Sequence, residues 1–261
     1  MKHVLFATAL AVALSAAARA ETPANAPTNT FWFPMGERLT YRLYWGFIRV
    51  GSAVMETAWT EIDGRPYLAI RASARTTAIL SAIYPVDDRI ESIVDPDTFL
   101  PIRYEQRLNE GRHHRHDLFT FDHAGRKAYW RSLLKERSRV VDIGPDTRDV
   151  LTLLYAMRGE GMAVGEERTF RVVVDEKLYD LLVKGLRCED IKVHKVGRVR
   201  CLKVVPEAKF GEIFVRKGRV QAWFTDNPRH ICVRMSGQVP VASVKAILVG
   251  VGGPDADGWA K

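Results

Sequence analysis

Three cysteines in 261 residues, Cys188, Cys201 and Cys232, are too few for a disulfide framework. An oxidising compartment permits one bridge and leaves one thiol over. Cys188 and Cys201 flank an expected hairpin turn near Gly197 and are the favoured pair, although their register is open and opposite faces are equally compatible. After the first twenty residues there is no uninterrupted apolar run of bilayer-spanning length, which argues against a helical membrane protein. The glycines form neither a phosphate-cradling loop nor a dinucleotide fingerprint. A Gly-x-Ser-x-Gly elbow is absent, and no Ser-x-x-Lys lies in a persuasive context. No cofactor is expected, and the nucleotide-dependent and common serine-hydrolase classes lose their signatures.

What is present begins with Lys2 and His3, an apolar run from Val4 to Ala18, and Ala18-Arg19-Ala20 before Glu21. Residues 1–20 read as a secretory signal peptide with a small-x-small cleavage site. No cysteine stands at that site, so the lipoprotein route is unsupported. A soluble periplasmic chain without a transmembrane anchor is expected from Glu21. Residues 21–30 read as a flexible lead-in, 31–250 as one β-rich domain in two halves, and 251–261 as a flexible tail. A hydrophobic content of 47% is enough for a sizeable core.

The formal charge of +8 falls to +6 once Lys2 and Arg19 leave with the leader, and it is unevenly spread. Between Lys184 and Arg219 eleven Lys/Arg face four Asp/Glu, an excess that accounts for all the net positive charge of the mature chain. Outside the cytoplasm such a patch suits lipid headgroups, anionic glycans or an acidic protein surface, and nucleic acid is not expected.

Leu39, Tyr41, Leu43 and Trp45 alternate with Arg38, Thr40, Arg42 and Tyr44, the period of a half-buried strand. Similar short strands recur at eight-to-twelve-residue spacing, separated by turns such as Asp63-Gly64, Asp95-Pro96-Asp97, Lys184-Gly185 and Val196-Gly197. One long helix interrupts them, predicted over 146–158, with Asp146 as its cap and Gly159 as its stop. On a wheel Val150, Leu151, Leu153, Leu154 and Met157 share a face, while Arg148, Asp149, Thr152 and Ala156 take the other. Arg158 falls on the apolar side, between Leu151 and Leu154. The pattern predicts an all-β, mainly antiparallel protein: an open barrel or strongly curved sheet crossed by one central α-helix.

Four stretches carry a resemblance. Phe33-Pro-Met-Gly-Glu-Arg-Leu-Thr-Tyr41, Val86-Asp-Asp-Arg-Ile-Glu-Ser92 with Asp95-Pro-Asp-Thr-Phe-Leu-Pro101, Asp149-Val-Leu-Thr-Leu-Leu-Tyr-Ala-Met-Arg158 and Ala222-Trp-Phe-Thr-Asp226 together resemble a bacterial secreted family, domain of unknown function 3108. The likeness spans about Phe31 to Val249. Ile231-Cys-Val-Arg departs from it where the family often has Pro. The resemblance implies an envelope location and a mainly antiparallel β fold, and it implies no chemistry.

Candidate sites are weighed against ordinary structural roles. His113, His114, His116 and His123 lack a carboxylate or cysteine at metal-ligand spacing and fit a solvated strand face, so no metal site is expected. Asp87, Asp88, Glu91, Asp95 and Asp97 fit turn chemistry better than a hydrolase pair. Arg158 is the sharpest candidate: turned inward, it needs either a buried carboxylate or the anionic head of a ligand. With Tyr155, Trp45 and Trp223 it could face a lipophilic pocket, while Lys192, Arg198 and Arg200 form a basic ribbon. The reading that follows is non-catalytic binding of an apolar or amphipathic, lipid-like ligand or an envelope component. The alternative is a structural or assembly factor that docks an envelope protein or anionic glycan through the basic hairpin. A hydrolase of envelope polymers comes third.

Overall fold

Alternation of apolar and polar residues builds nearly the whole molecule. The structure, a computed structural model, describes residues 31–210, 213–216, 220–238, 243–254 and 256–260. The expected leader and lead-in lie outside the described residues. In β1 (Arg38–Trp45) the buried positions are Leu39, Tyr41 and Leu43, as the period requires. The chain then runs through β2 (Ile48–Ile62), β3 (Arg65–Thr76), a short α1 (Ala78–Ser81), β4 (Asp87–Val94), β5 (Pro101–Glu110), β6 (His113–Asp122), β7 (Lys127–Ser132) and β8 (Ser138–Asp142). Each strand pairs antiparallel with the next. After α2 (Val150–Glu160) a second meander follows: β9 (Glu167–Val174), β10 (Lys177–Val193), β11 (Gly197–Phe210), β12 (Ile213–Arg216), β13 (Val220–Thr225), β14 (Cys232–Gln238) and β15 (Ser243–Gly252).

Pairing of β1 with β15 joins the two meanders into one sheet of order β8-β7-β6-β5-β4-β3-β2-β1-β15-β14-β13-β11-β10-β9, with β12 beside β11 alone. The fold is therefore mainly antiparallel β and open, since β8 and β9 are its two edges. Other groups span the gap between them. Arg148, just ahead of α2, exchanges backbone hydrogen bonds with Arg171 and Val173 on β9. The Arg115 Nη1 of β6 reaches Asp175 Oδ1 in the β9–β10 turn at 2.6 Å.

Several expectations are corrected. α2 starts at Val150 rather than near Asp146, because Asp149 is the cap. The Asp149 carboxylate accepts from Leu151 N and Thr152 N, and the Thr152 hydroxyl accepts from Asp149 N. Asp146 is instead paired with Arg171. The helix ends at Gly161 (φ 57°), and Gly159 has another use: a Cβ there would come within 2.4 Å of the Trp32 indole. Nor is the helix one-faced. Thr152 and Ala156, placed on the polar side by the wheel, are buried with Leu151, Leu153, Tyr155 and Arg158, because cores lie on both sides of the helix. Leu151, Tyr155 and Ala156 join the main core with Leu39, Tyr41 and Phe119, while Leu153 joins a second core with Phe170, Val183, Leu202 and Phe224.

Lys184-Gly185 is no turn: both residues lie inside the single long strand β10, whose register shifts between Gly185 and Arg187. Gly185 is required there because the Ala163 carbonyl would lie 2.2 Å from any Cβ. Cys188 and Cys201 are both free. Cys188 stands opposite Leu202 and Cys201 opposite Glu189, so the two thiols face opposite sides of the sheet and cannot bridge. The tail is not free from 251 onward: β15 continues to Gly252, and Trp259 is buried with its carbonyl accepting from Asn227 Nδ2 at 2.9 Å.

The strand order sorts the connections into two ends. One end gathers residues 62–65, 94–101, 122–127, 193–197 and 226–231 with the entry segment 31–37; the other gathers 46–47, 77–86, 111–112, 133–137 and 175–176. The first is called the plugged end and the second the rim.

Candidate functional site

At the plugged end the chain buries charge. Arg158, in the last turns of α2, is 1% exposed, and Glu37, one residue ahead of β1, is fully buried. The guanidinium grips the carboxylate in a fork, Nη1 to Oε2 at 2.6 Å and Nη2 to Oε1 at 2.9 Å. Arg229, in the β13–β14 connection, donates to the same Oε1 at 2.9 Å. His230 Nδ1 lies 2.8 Å from the Arg158 carbonyl. Two cations thus share one carboxylate. Burial works against the Arg158 charge, but the hydrogen bonds and Coulomb attraction of Glu37 outweigh it and hold the guanidinium protonated. Such a cluster gives little net stability, yet removing one member leaves an uncompensated buried charge.

Aromatic rings enclose it. The Arg158 guanidinium lies 4.8 Å from the Tyr155 ring centroid and 5.7 Å from that of Phe33. Phe33 meets Tyr155 edge-on at 4.8 Å, and Trp32 meets Phe99 at 4.5 Å while donating through Nε1 to the Tyr155 carbonyl at 2.7 Å. Burial, then the Glu37 charge, push the Tyr155 hydroxyl well above its ordinary range. Glu37, Phe99 and Arg158 each come from a different stretch that carried the family resemblance, and Thr225 of the last one accepts from Ile231 N beside Arg229. One part of each stretch reaches this plug, while residues 86–92 start at the opposite end of β4.

The small cleft beside the plug is lined by Met157, Gly161, Met162, Leu202, Phe224 and His230, with a volume of about 20 Å³, room for little more than one water. The other predicted site residues are dispersed. Trp223 is buried, its Nε1 donating to Glu189 and its ring lying under Lys203 and Arg234 at 5.1 and 4.6 Å. Trp45 is half exposed at the rim. Lys192, Arg198 and Arg200 are exposed on the outer face of the β10–β11 hairpin, while Ile191, Val193, Val199 and Cys201 turn inward to the main core. Lys192 stands directly opposite Arg198, and Arg200 Nε lies 3.4 Å from Asp226. The predicted set therefore does not form one site.

His114 and His116 lie on the outer face of β6, hydrogen-bonded to Asn109 and Glu105. Among the described residues no three His, Cys, Asp or Glu side chains are grouped to hold a metal. Two buried carboxyls carry altered acidity. Burial pushes Asp149 up to about 6 against its hydrogen bonds from Ser92 and the helix amides. Asp88, on β4 near the rim, is pushed up to about 7 by burial and the nearby Glu110, against the hydrogen bond from Asn109 N.

Sequence reasoning missed the rim. Phe47 is 97% exposed, and Ile48, Ile79 and Ile83 are also largely in solvent. The available signal was Trp45-Gly46-Phe47-Ile48, a hairpin turn made of apolar residues where polar ones are usual.

The sequence matches the family described as "Protein of unknown function (DUF3108)" over residues 40–249, and the chain belongs to it. No curated protein matches. A crystal structure of a beta-barrel-like protein of domain of unknown function DUF1849 from Brucella abortus is similar, with a TM-score of 0.54 at 12% identity over 83% of this chain and 97% of that one. At that identity the likeness is one of fold. Among the described residues no helix is long and apolar enough to cross a membrane.

Proposed function

We propose that this member of the DUF3108 family is a non-catalytic exported protein of the cell envelope that works through its outer surface, as a structural or assembly factor, and encloses no ligand. The observation that carries this reading is the occupied interior. α2 fills the space between the two meanders, and the Arg158 fork is taken by Glu37. A lipid-binding protein needs an enclosed volume of roughly 300 Å³ or more, and the cleft beside the plug offers far less. That counts against a lipid-like ligand held inside by Arg158, Tyr155 and Trp223. Catalysis finds no support in the carboxylates either: Glu37, Asp117 and Asp149 are committed to internal partners.

The β10–β11 hairpin is the docking element this reading favours. Its cations Lys192, Arg198 and Arg200 lie on solvent, and its inner face anchors it to the core. An acidic envelope protein or an anionic glycan is the partner class that suits such charge.

The test is native mass spectrometry, with solvent extraction, on protein purified gently from an envelope fraction. A mass equal to the polypeptide alone and no uptake of a fluorescent fatty acid are expected. A stoichiometric lipid that survives in the protein would overturn the reading.

A further inference from the structure

The rim brings together three loops that the sequence separates. The β1–β2 hairpin and the segment 77–86 are tied where Thr77 N donates to the Val50 carbonyl at 2.9 Å. The segment 77–86 and the β5–β6 turn are tied where Gly111 N donates to the Pro85 carbonyl at 2.7 Å, with the Tyr84 ring laid over Gly111. The start of β15 joins them through Gly46 N and the Ser243 carbonyl at 2.8 Å. On this platform Trp45, Phe47, Ile48, Ile79, Ile83 and Tyr84 are all exposed by half or more.

Exposed apolar groups of this number, gathered on one end, mark an interaction surface rather than chance scatter. Their chemistry identifies what they meet. The side chains project from a hairpin tip and a short helical loop, so they suit insertion into a deformable medium better than a preformed partner. Trp45 and Tyr84 are the residue types that settle at a membrane–water boundary. The segment 77–86 has no charged residue. Around it stand Arg49, Arg112 and Lys245, the last with its Nζ 5.6 Å from the Phe47 ring centroid. Within these three loops and the start of β15 Glu110 is the sole carboxylate, Asp87 borders the segment 77–86, and Glu136, Asp175 and Glu176 lie in the other rim loops. An apolar tip collared by cations is complementary to a bilayer surface carrying anionic headgroups.

We infer that the rim is a membrane-docking surface, by which Phe47, Ile48, Ile79 and Ile83 enter the boundary of an anionic lipid bilayer while Arg49, Arg112 and Lys245 meet its headgroups. The inference rests on the reading of the protein as one that acts through its surface and names what one of its surfaces meets.

The experiment is flotation of the chain from Glu21 onward, which keeps every described residue, with vesicles of phosphatidylglycerol and phosphatidylethanolamine and, separately, of phosphatidylcholine. The protein is expected to float with the anionic vesicles at low salt, with a blue shift of tryptophan emission that the Trp45→Phe variant lacks. Phe47→Asp/Ile48→Asp should lower partitioning by about tenfold or more, and each of Arg49→Glu and Lys245→Glu by about fivefold at low salt. Ile79→Asp/Ile83→Asp supplies an independent loss from the second loop, and far-UV circular dichroism confirms that each variant is folded.

No flotation with anionic vesicles at low salt would overturn the inference. So would flotation undiminished in both aspartate pairs. Concentration-dependent dimers abolished by Phe47→Asp/Ile48→Asp, without vesicle binding, would overturn it in favour of a second copy of the chain. A lipid held inside would appear as bound mass in wild type and in every rim variant alike, so failure of the enclosed-ligand argument is read separately.

Discussion

The two ends of the sheet treat apolar residues in opposite ways. At the plugged end Phe31, Trp32, Phe33, Phe99 and Tyr155 pack ring against ring over a charge cluster, and Trp259 returns from the far end of the chain to join them. At the rim Phe47, Ile48, Ile79 and Ile83 stand in solvent. The same residue types are structural where chain segments from four parts of the sequence converge, and available for contact where only short turns meet. Burial at the first end depends on α2, since Tyr155 and Arg158 fill it from the inside. Nothing comparable reaches the second among the described residues.

Substitutions should break that comparison at one end and leave it intact at the other. The largest effect is expected for Glu37→Gln, which strands the buried Arg158 guanidinium and takes one carboxylate from the part-buried Arg229. A loss of about 3–5 kcal/mol in urea unfolding is expected, and combining Glu37→Leu with Arg158→Met should recover most of it. Gly159→Ala follows, because the new methyl must displace the Trp32 indole, at about 1–3 kcal/mol. Asp149→Ala removes the helix cap, at about 1–2 kcal/mol in the same measurement.

Acidity gives a further test. Asp88 in the folded protein holds its proton up to about pH 7, whereas an unfolded chain releases it near about 4. The folded state binds more protons across that window, so this carboxyl makes stability fall as pH rises from about 4 to about 7. Asp88→Asn should flatten that slope in thermal melts and raise the midpoint at neutral pH relative to wild type. The smallest effect belongs to Phe47→Asp/Ile48→Asp, whose stability should stay within about 0.5 kcal/mol of wild type. A large loss there would mean that the rim is packed as the plug is, and the contrast would fail.

Much of the fold could be read from the chain because alternation is a local property. Leu39, Tyr41 and Leu43 announce β1 without any knowledge of what β1 pairs with. α2 was recognisable for the same reason, but its start was not. Asp146 and Asp149 are equally good caps on paper, and only the pairing of Arg148 with β9 decides between them. Lys184-Gly185 reads as a turn because glycine serves turns and strand bulges alike, and the approach of the Ala163 carbonyl that requires Gly185 is tertiary. Arg158 could be singled out as anomalous on its wheel, whereas Glu37, its partner 121 residues away, carries no local mark of burial. In the sequence the rim loops are legible only as interruptions of strands, which says where the chain turns and not which side chains a turn presents.

The pairing of β1 with β15 bears on how the molecule is made. Each meander is built from neighbours in sequence and can zip up with short loops, but the seam at the centre of the sheet joins β1 to β15. Closing so long a loop is entropically costly and slow relative to hairpin formation, and β15 leaves the ribosome after the other fourteen described strands. Until it arrives β1 and β14 present unpaired edges, each a template for another chain. Completion of the fold therefore waits for β15, and truncations after Gly237 should yield protein that aggregates rather than a smaller stable sheet.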